Sequence, residues 1–141
     1  MQLRKNAKVE LLRKVPLFSQ CSKRELEMIA GIADEVTVDD GTELTRQGDR
    51  GREFGVIVDG DAAVSADGKK ISSLGAGDFF GEIALVSDIP RTATVKATTR
   101  VDLLVVSARD FRRLMRESPG VQAKVLQALA HRVAELSTRT A

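Results

Sequence analysis

Phe80-Gly81-Glu82-Ile83-Ala84-Leu85-Val86-Ser87-Asp88-Ile89-Pro90-Arg91-Thr92-Ala93-Thr94-Val95 is the stretch on which the reading of this chain turns. Gly81 opens a run, Glu82–Val86, that is long enough for barely one helical turn. The first amides of such a turn, around Ile83 and Ala84, have no partner within it and make a ready anion site. Pro90 stiffens the approach to Arg91, which precedes a β-branched segment. If the stretch folds back on itself, a guanidinium comes to lie beside the unclaimed amides. Together they can hold one phosphate, Arg91 giving two parallel hydrogen bonds. An ionised Glu82 only accepts hydrogen bonds, so beside a phosphate it makes sense where the ligand also carries a hydroxyl. Taken singly these parts are ordinary: Gly-Glu starts many turns, and Arg after Pro is usually a surface charge. Gly75, Gly77 and Gly81 fit neither the dinucleotide fingerprint nor a P-loop.

Outward from this stretch the apolar period changes twice. Upstream, Val9, Leu11, Leu12 and Val15 form a short amphipathic run that stops at Pro16. Ser22 and Glu25 make a capping-box pattern, followed by Leu26, Ile29, Ala30 and Ala33 at helical spacing. Strand signals begin near Asp34: Val36–Val38, Leu44, Phe54–Val58, Ala62–Val64, Ile71–Leu74, Thr92–Ala97 and Val101–Val106. Asp67-Gly68 is a strong hairpin signal. Helix returns at Ser107-Ala-Arg-Asp110 and again at Ser118-Pro119, after which Val121, Val125, Leu129, Val133 and Leu136 line one face. About eight short strands set between helices predict an α+β domain built on a closed roll or barrel rather than a βαβ sheet. The expected bounds are a roll over about 34–107 and C-terminal helices over about 108–117 and 119–136, all in one domain spanning 1–141.

Composition narrows the function. With 141 residues, 43% hydrophobic and 30% charged, the chain can bury an ordinary single core. No apolar stretch is long enough for a membrane span and no signal peptide is evident, so the expectation is a soluble cytoplasmic protein. A single cysteine, Cys21, excludes an internal disulfide, and a single histidine, His131, excludes His-cluster metal chemistry. There is no Trp or Tyr and only five Phe, too few for nucleic-acid stacking platforms. Charge is segregated: +4 over residues 1–32, −6 over 33–99 and +4 over 100–141. An anion bound in the acidic middle needs a strong local site.

The stretch 80–95 closely resembles the phosphate-binding cassette of the cyclic nucleotide-binding domain, the module of bacterial catabolite activators, kinase regulatory subunits and cyclic-nucleotide-gated channels. The family cassette reads roughly F-G-E-hydrophobic-A-L, a short variable stretch, then P-R-[STA]-A-[ST]-V, and each position is matched. Arg46–Asp49, Val56–Gly60 and Leu74–Phe80 match the family's roll, so the resemblance covers about residues 15–136. It implies an eight-stranded antiparallel β-roll, a jelly-roll-like double-stranded β-helix, with flanking N-terminal helices and two C-terminal ones. The ligand it implies is cAMP or cGMP, with no further cofactor and no metal. It assigns Glu82 to the ribose 2′-hydroxyl and Arg91 to the phosphate oxygens. The amides of Ile83, Ala84 and Thr92 complete the cradle, the Thr92 hydroxyl adds a bond, and Ala93 belongs to the same site. Gly81 permits close approach to the sugar. Arg132 and Val133, near the end of the last helix, fall where a lid residue would sit. Gly55 departs from the family, which more often has a bulky apolar residue there, and is expected to loosen the roll or leave space.

Other function classes fit less well. An enzyme needs a metal cluster or a nucleophile–base pair, and neither is present, so no catalytic residue is expected. His131 reads as a helix-surface residue and Cys21 as packing. Specific DNA binding is not expected, since nothing after Leu136 accommodates a helix-turn-helix. The chain reads as a sensor whose output passes to an effector protein or domain. It could equally be a regulatory piece of a longer channel, transporter or enzyme, or a relative of transcription regulators. The sequence leaves open cAMP against cGMP, with a lean to cAMP, and monomer against dimer through the last helix's stripe.

Overall fold

Local signals set the helix ends. At Ser22 the hydroxyl accepts from the Glu25 amide at 3.2 Å and the Glu25 carboxylate accepts from the Ser22 amide at 2.7 Å, closing the capping box at the head of α2 (Lys23–Gly31). Before it, α1 (Lys5–Arg13) gives way to a 3₁₀ turn, Pro16–Phe18. The computed structural model describes residues 2–140; the side chains of Arg132 and of residues 136–140 lie outside that description. No helix among the described residues is long and apolar enough to cross a membrane.

Eight strands follow: β1 (Asp34–Val38), β2 (Glu43–Thr45), β3 (Glu53–Asp59), β4 (Ala62–Ala66), β5 (Lys69–Leu74), β6 (Phe79–Phe80), β7 (Thr94–Ala97) and β8 (Val101–Ser107). They form two four-stranded sheets, β1-β8-β3-β6 and β2-β7-β4-β5, with every pairing antiparallel. At the β4–β5 turn Asp67 and Gly68 both take positive φ, 53° and 76°, which suits the twist of a two-residue hairpin. α3 (Ala108–Glu117) starts at Ser107, whose hydroxyl accepts from the Asp110 amide at 3.1 Å. α4 begins on Pro119 and runs to Thr140, four residues beyond the expected end.

β3 and β8 alternate between two cores. Phe54, Val56, Leu104 and Val106 face the helices, where they meet Phe18, Leu26, Ile29, Phe111, Val121 and Val125. Ile57, Val101 and Leu103 face into the roll with Ala62, Val95 and Ala97. Cys21 is buried in the helical cluster at 8% exposure, and burial pushes its thiol up to about 11, so it packs rather than reacts.

Three expectations are corrected. Phe79 and Phe80, in a glycine-rich run with no strand signal of its own, form a short strand pairing with β3. Gly55 leaves no empty space: a Cβ there would lie 2.5 Å from the Phe80 ring, which fills the position a bulkier residue would take. Nor does strand extend back to Thr92; β7 starts at Thr94, and Thr92 and Ala93 line a cavity instead.

Candidate functional site

A cavity of about 410 Å³ opens between the two sheets, and the 80–95 stretch forms most of its rim. Phe80, Gly81, Glu82, Ile83, Ala84, Arg91, Thr92 and Ala93 all line it, with Val64, Leu74, Ile89 and Val95 as an apolar wall. Residues 82–85 form a single 3₁₀ turn entered through Gly81 at φ +76°. A side chain at Gly81 would be strained by that φ and would also collide with the Arg91 guanidinium.

Arg91 is fixed from two directions. Its amide donates to the Asp49 carbonyl at 2.7 Å, and its carbonyl accepts from the Gly48 amide at 2.8 Å. The side chain crosses Gly51, where a Cβ would lie 2.5 Å from Nε, and its Nη2 donates to the Glu53 carbonyl. Two residues without side chains thus form the slot that holds the guanidinium. Burial lowers the Arg91 pKa from its ordinary value, and the nearby Glu53 charge opposes that shift. Among the described residues no carboxylate lies within ion-pair distance of Arg91. The site therefore offers a held, partly desolvated cation facing an apolar cavity.

Glu82 is buried at 9% exposure and Ala84 at 5%, whereas Ile83 stands 40% exposed at the rim. The Ala84 amide differs from expectation. In a 3₁₀ turn bonds run i→i−3, and Ala84 already donates to the Gly81 carbonyl at 3.1 Å. The Ile83 amide, which precedes it, has no partner inside the turn.

No described residue of the last helix lines this cavity. α4 packs on α3 and on the Pro16–Phe18 turn, through Val121, Val125 and Ala128, which are buried. From Ala130 to Glu135 each described side chain is exposed. Val133, 62% exposed, is not part of the cavity lining, and the Arg132 side chain lies outside the described residues.

Thr45 is a cavity residue that sequence reading missed. Buried at a register shift between β2 and β7, its hydroxyl donates to the Ala93 carbonyl and accepts from the Val95 amide, both at 3.1 Å. It pins the end of the 80–95 stretch where the ladder is interrupted. No sequence signal separates it from any other strand threonine. The adjacent Gln47 reaches the β4–β5 turn, donating to Asp67 at 3.0 Å and accepting from the Asp67 amide at 2.8 Å.

No group of three or more metal-ligating side chains occurs among the described residues. The arrangement suits an anion at the Arg91 end and an uncharged body along the apolar wall of Val64, Leu74 and Val95. The family model for the cyclic nucleotide-binding domain matches residues 35–118, which contain all of this cavity. The chain belongs to the cyclic nucleotide-binding domain family.

Relatives of this domain occur in different proteins. The cAMP-dependent protein kinase regulatory subunit of Schizosaccharomyces pombe is 40% identical over 106 residues, 74% of this chain and 26% of that one. A cyclic nucleotide-gated potassium channel of Rhizobium etli is 36% identical over 123 residues, 87% of this chain and 34% of the channel. The chain thus spans about a quarter to a third of these relatives. Among solved structures, the N-terminal domain of a transcriptional regulator from Streptomyces coelicolor A3(2) superposes with a TM-score of 0.84 at 26% identity, covering 93% of this chain and 95% of that one. The regulatory domain of Toxoplasma gondii protein kinase A, crystallised with cAMP, gives 0.71 at 26% identity, covering 94% and 50%. The eight-stranded antiparallel roll with flanking helices is the fold of this family.

Proposed function

We propose that the domain is a sensor that binds a 3′,5′-cyclic purine nucleotide, cAMP ahead of cGMP, and passes occupancy to an effector protein or domain. The observation that carries this reading is the Arg91 guanidinium, slotted over Gly51 and Gly81 without a carboxylate partner among the described residues, at one end of a largely apolar cavity. In this reading Arg91 and the Ile83 amide take the phosphate and Glu82 takes the ribose 2′-hydroxyl. Gly81 admits the sugar, and Ala84, Thr92 and Ala93 shape the cradle. The preference for cAMP is supported by the kinase regulatory subunits among the relatives. The same relatives, much longer than this chain, support a role as the regulatory part of a larger assembly.

Calorimetric titration with cAMP, cGMP, 2′-deoxy-cAMP and 5′-AMP tests the reading. The slot suits one compact, singly charged phosphate within an acidic segment, so cyclic forms should bind at least about tenfold tighter than 5′-AMP. Loss of the 2′-hydroxyl should weaken cAMP as well. Equal affinity for cAMP and 5′-AMP refutes the assignment.

The end of α4 serves in this reading as a lid that closes over the base. Support comes from apolar surface left on both sides: Ile83 and Ile89 at the cavity mouth, Leu126 and Val133 along the helix, all exposed. A ligand shifts such an equilibrium only by contacts made in one state and not in the other. Ending the chain after Ala128 should leave the roll folded, weaken cAMP by about 1–3 kcal/mol and blunt adenine–guanine discrimination. Unchanged affinity and preference in the shortened chain would remove the lid.

A further inference from the structure

The far end of the 3₁₀ turn is as specifically built as the end that faces the cavity. The Ile83 carbonyl takes both following amides, Val86 at 3.1 Å and Ser87 at 2.9 Å. That leaves the Ala84 and Leu85 carbonyls without a backbone donor among the described residues, at the negative end of the turn. One side chain from α3 supplies both: Arg112 Nη2 donates to the Ala84 carbonyl at 3.2 Å, and its Nε donates to the Leu85 carbonyl at 3.3 Å. The same guanidinium reaches Asp88 at 3.3 Å.

We infer that Arg112 is a positioning residue for the anion held at the other end of this turn. The inference rests on the functional reading given above. A cation on the turn's last carbonyls orients its peptide dipoles with their positive ends toward the cavity, and its own charge acts in the same sense. Four residues of 3₁₀ geometry span roughly 8 Å, a separation over which a partly buried charge is still felt. Ala84 and Leu85, within the turn, are buried, which seats it between Arg112 and the site. Arg112 touches no ligand in this arrangement; it fixes the direction and the field of the amides that do. Asp88 partly offsets it, being an opposite charge on the same guanidinium.

Titration of the whole protein with cAMP, for wild type and three variants, separates this role from a purely structural one. Arg112→Met should weaken binding about tenfold and Arg112→Lys about threefold, because Lys keeps the charge but not the two-carbonyl fork. Asp88→Asn should tighten binding about twofold by leaving the Arg112 charge unopposed. A residue that merely latched the turn to α3 would give no tightening, since Asp88→Asn keeps an oxygen that accepts the same bond more weakly. Unchanged affinity in Arg112→Met overturns the inference, as does unchanged or weaker binding in Asp88→Asn. If Arg112→Met does not fold, the sign of the Asp88→Asn effect decides alone. Should wild type bind no cyclic nucleotide, the functional reading falls first and this inference with it. Binding by wild type with no ordered effect in the variants sinks the inference only.

Discussion

Replacing Arg91 by alanine is expected to weaken cAMP binding by about 2–4 kcal/mol, some 30- to 900-fold. The lost group is a charged fork held partly out of water, with its backbone pinned by Asp49 and Gly48 and its side chain lying in the slot of Gly51 and Gly81. Arg91→Lys should recover only part of the loss, since a point charge cannot match two phosphate oxygens at once. Stability in the absence of ligand should change little, because the guanidinium's hydrogen bond goes to a single carbonyl, that of Glu53. Titration together with urea unfolding checks both halves. An affinity loss below about twofold would place the phosphate elsewhere in the cavity.

Phe111→Ala should destabilise the domain by about 3–5 kcal/mol, read from urea unfolding of the ligand-free protein. Phe111 is fully buried, with its ring centroid 5.5 Å from that of Phe18, which in turn meets Phe54 edge-on at 5.7 Å. These three rings join α3, the Pro16–Phe18 turn and β3, so truncating one leaves a cavity bounded by three elements with little freedom to collapse. A loss below about 1 kcal/mol would mean that the helices are loosely seated on the sheet.

Much of this architecture was legible because its determinants are local. Ser22 with Glu25, Asp67 with Gly68 and Ser118-Pro119 announce a cap, a turn and a helix start within four residues each. The 80–95 stretch was legible for another reason, since its residue types are tied to one chemistry at one spacing. What escaped depends on the third dimension. Nothing in the order of residues reveals that the Phe80 ring lies on Gly55, or that Thr45 meets Ala93 from 48 residues away. The amide at Ala84 was expected to be unclaimed because a helical count was applied to a turn that winds more tightly. The apolar stripe of α4 was visible, but which part of it docks is decided by where α3 and the Pro16–Phe18 turn end, and among the described residues the docked part ends at Leu129.

β3 and β8 each give alternate side chains to the helical layer and to the interior of the roll. A strand cannot loosen toward one neighbour and stay taut toward the other, because both sets of side chains hang from one backbone. The helices and the roll are therefore not two parts that can melt in turn, and loss of either should take the other with it. Whatever free energy a molecule in the cavity contributes is shared by α1 and α2, which do not line it, and it grows with the logarithm of concentration over dissociation constant. Occupancy of the cavity should therefore register as slower amide exchange in α1 and α2, on the other side of the sheet.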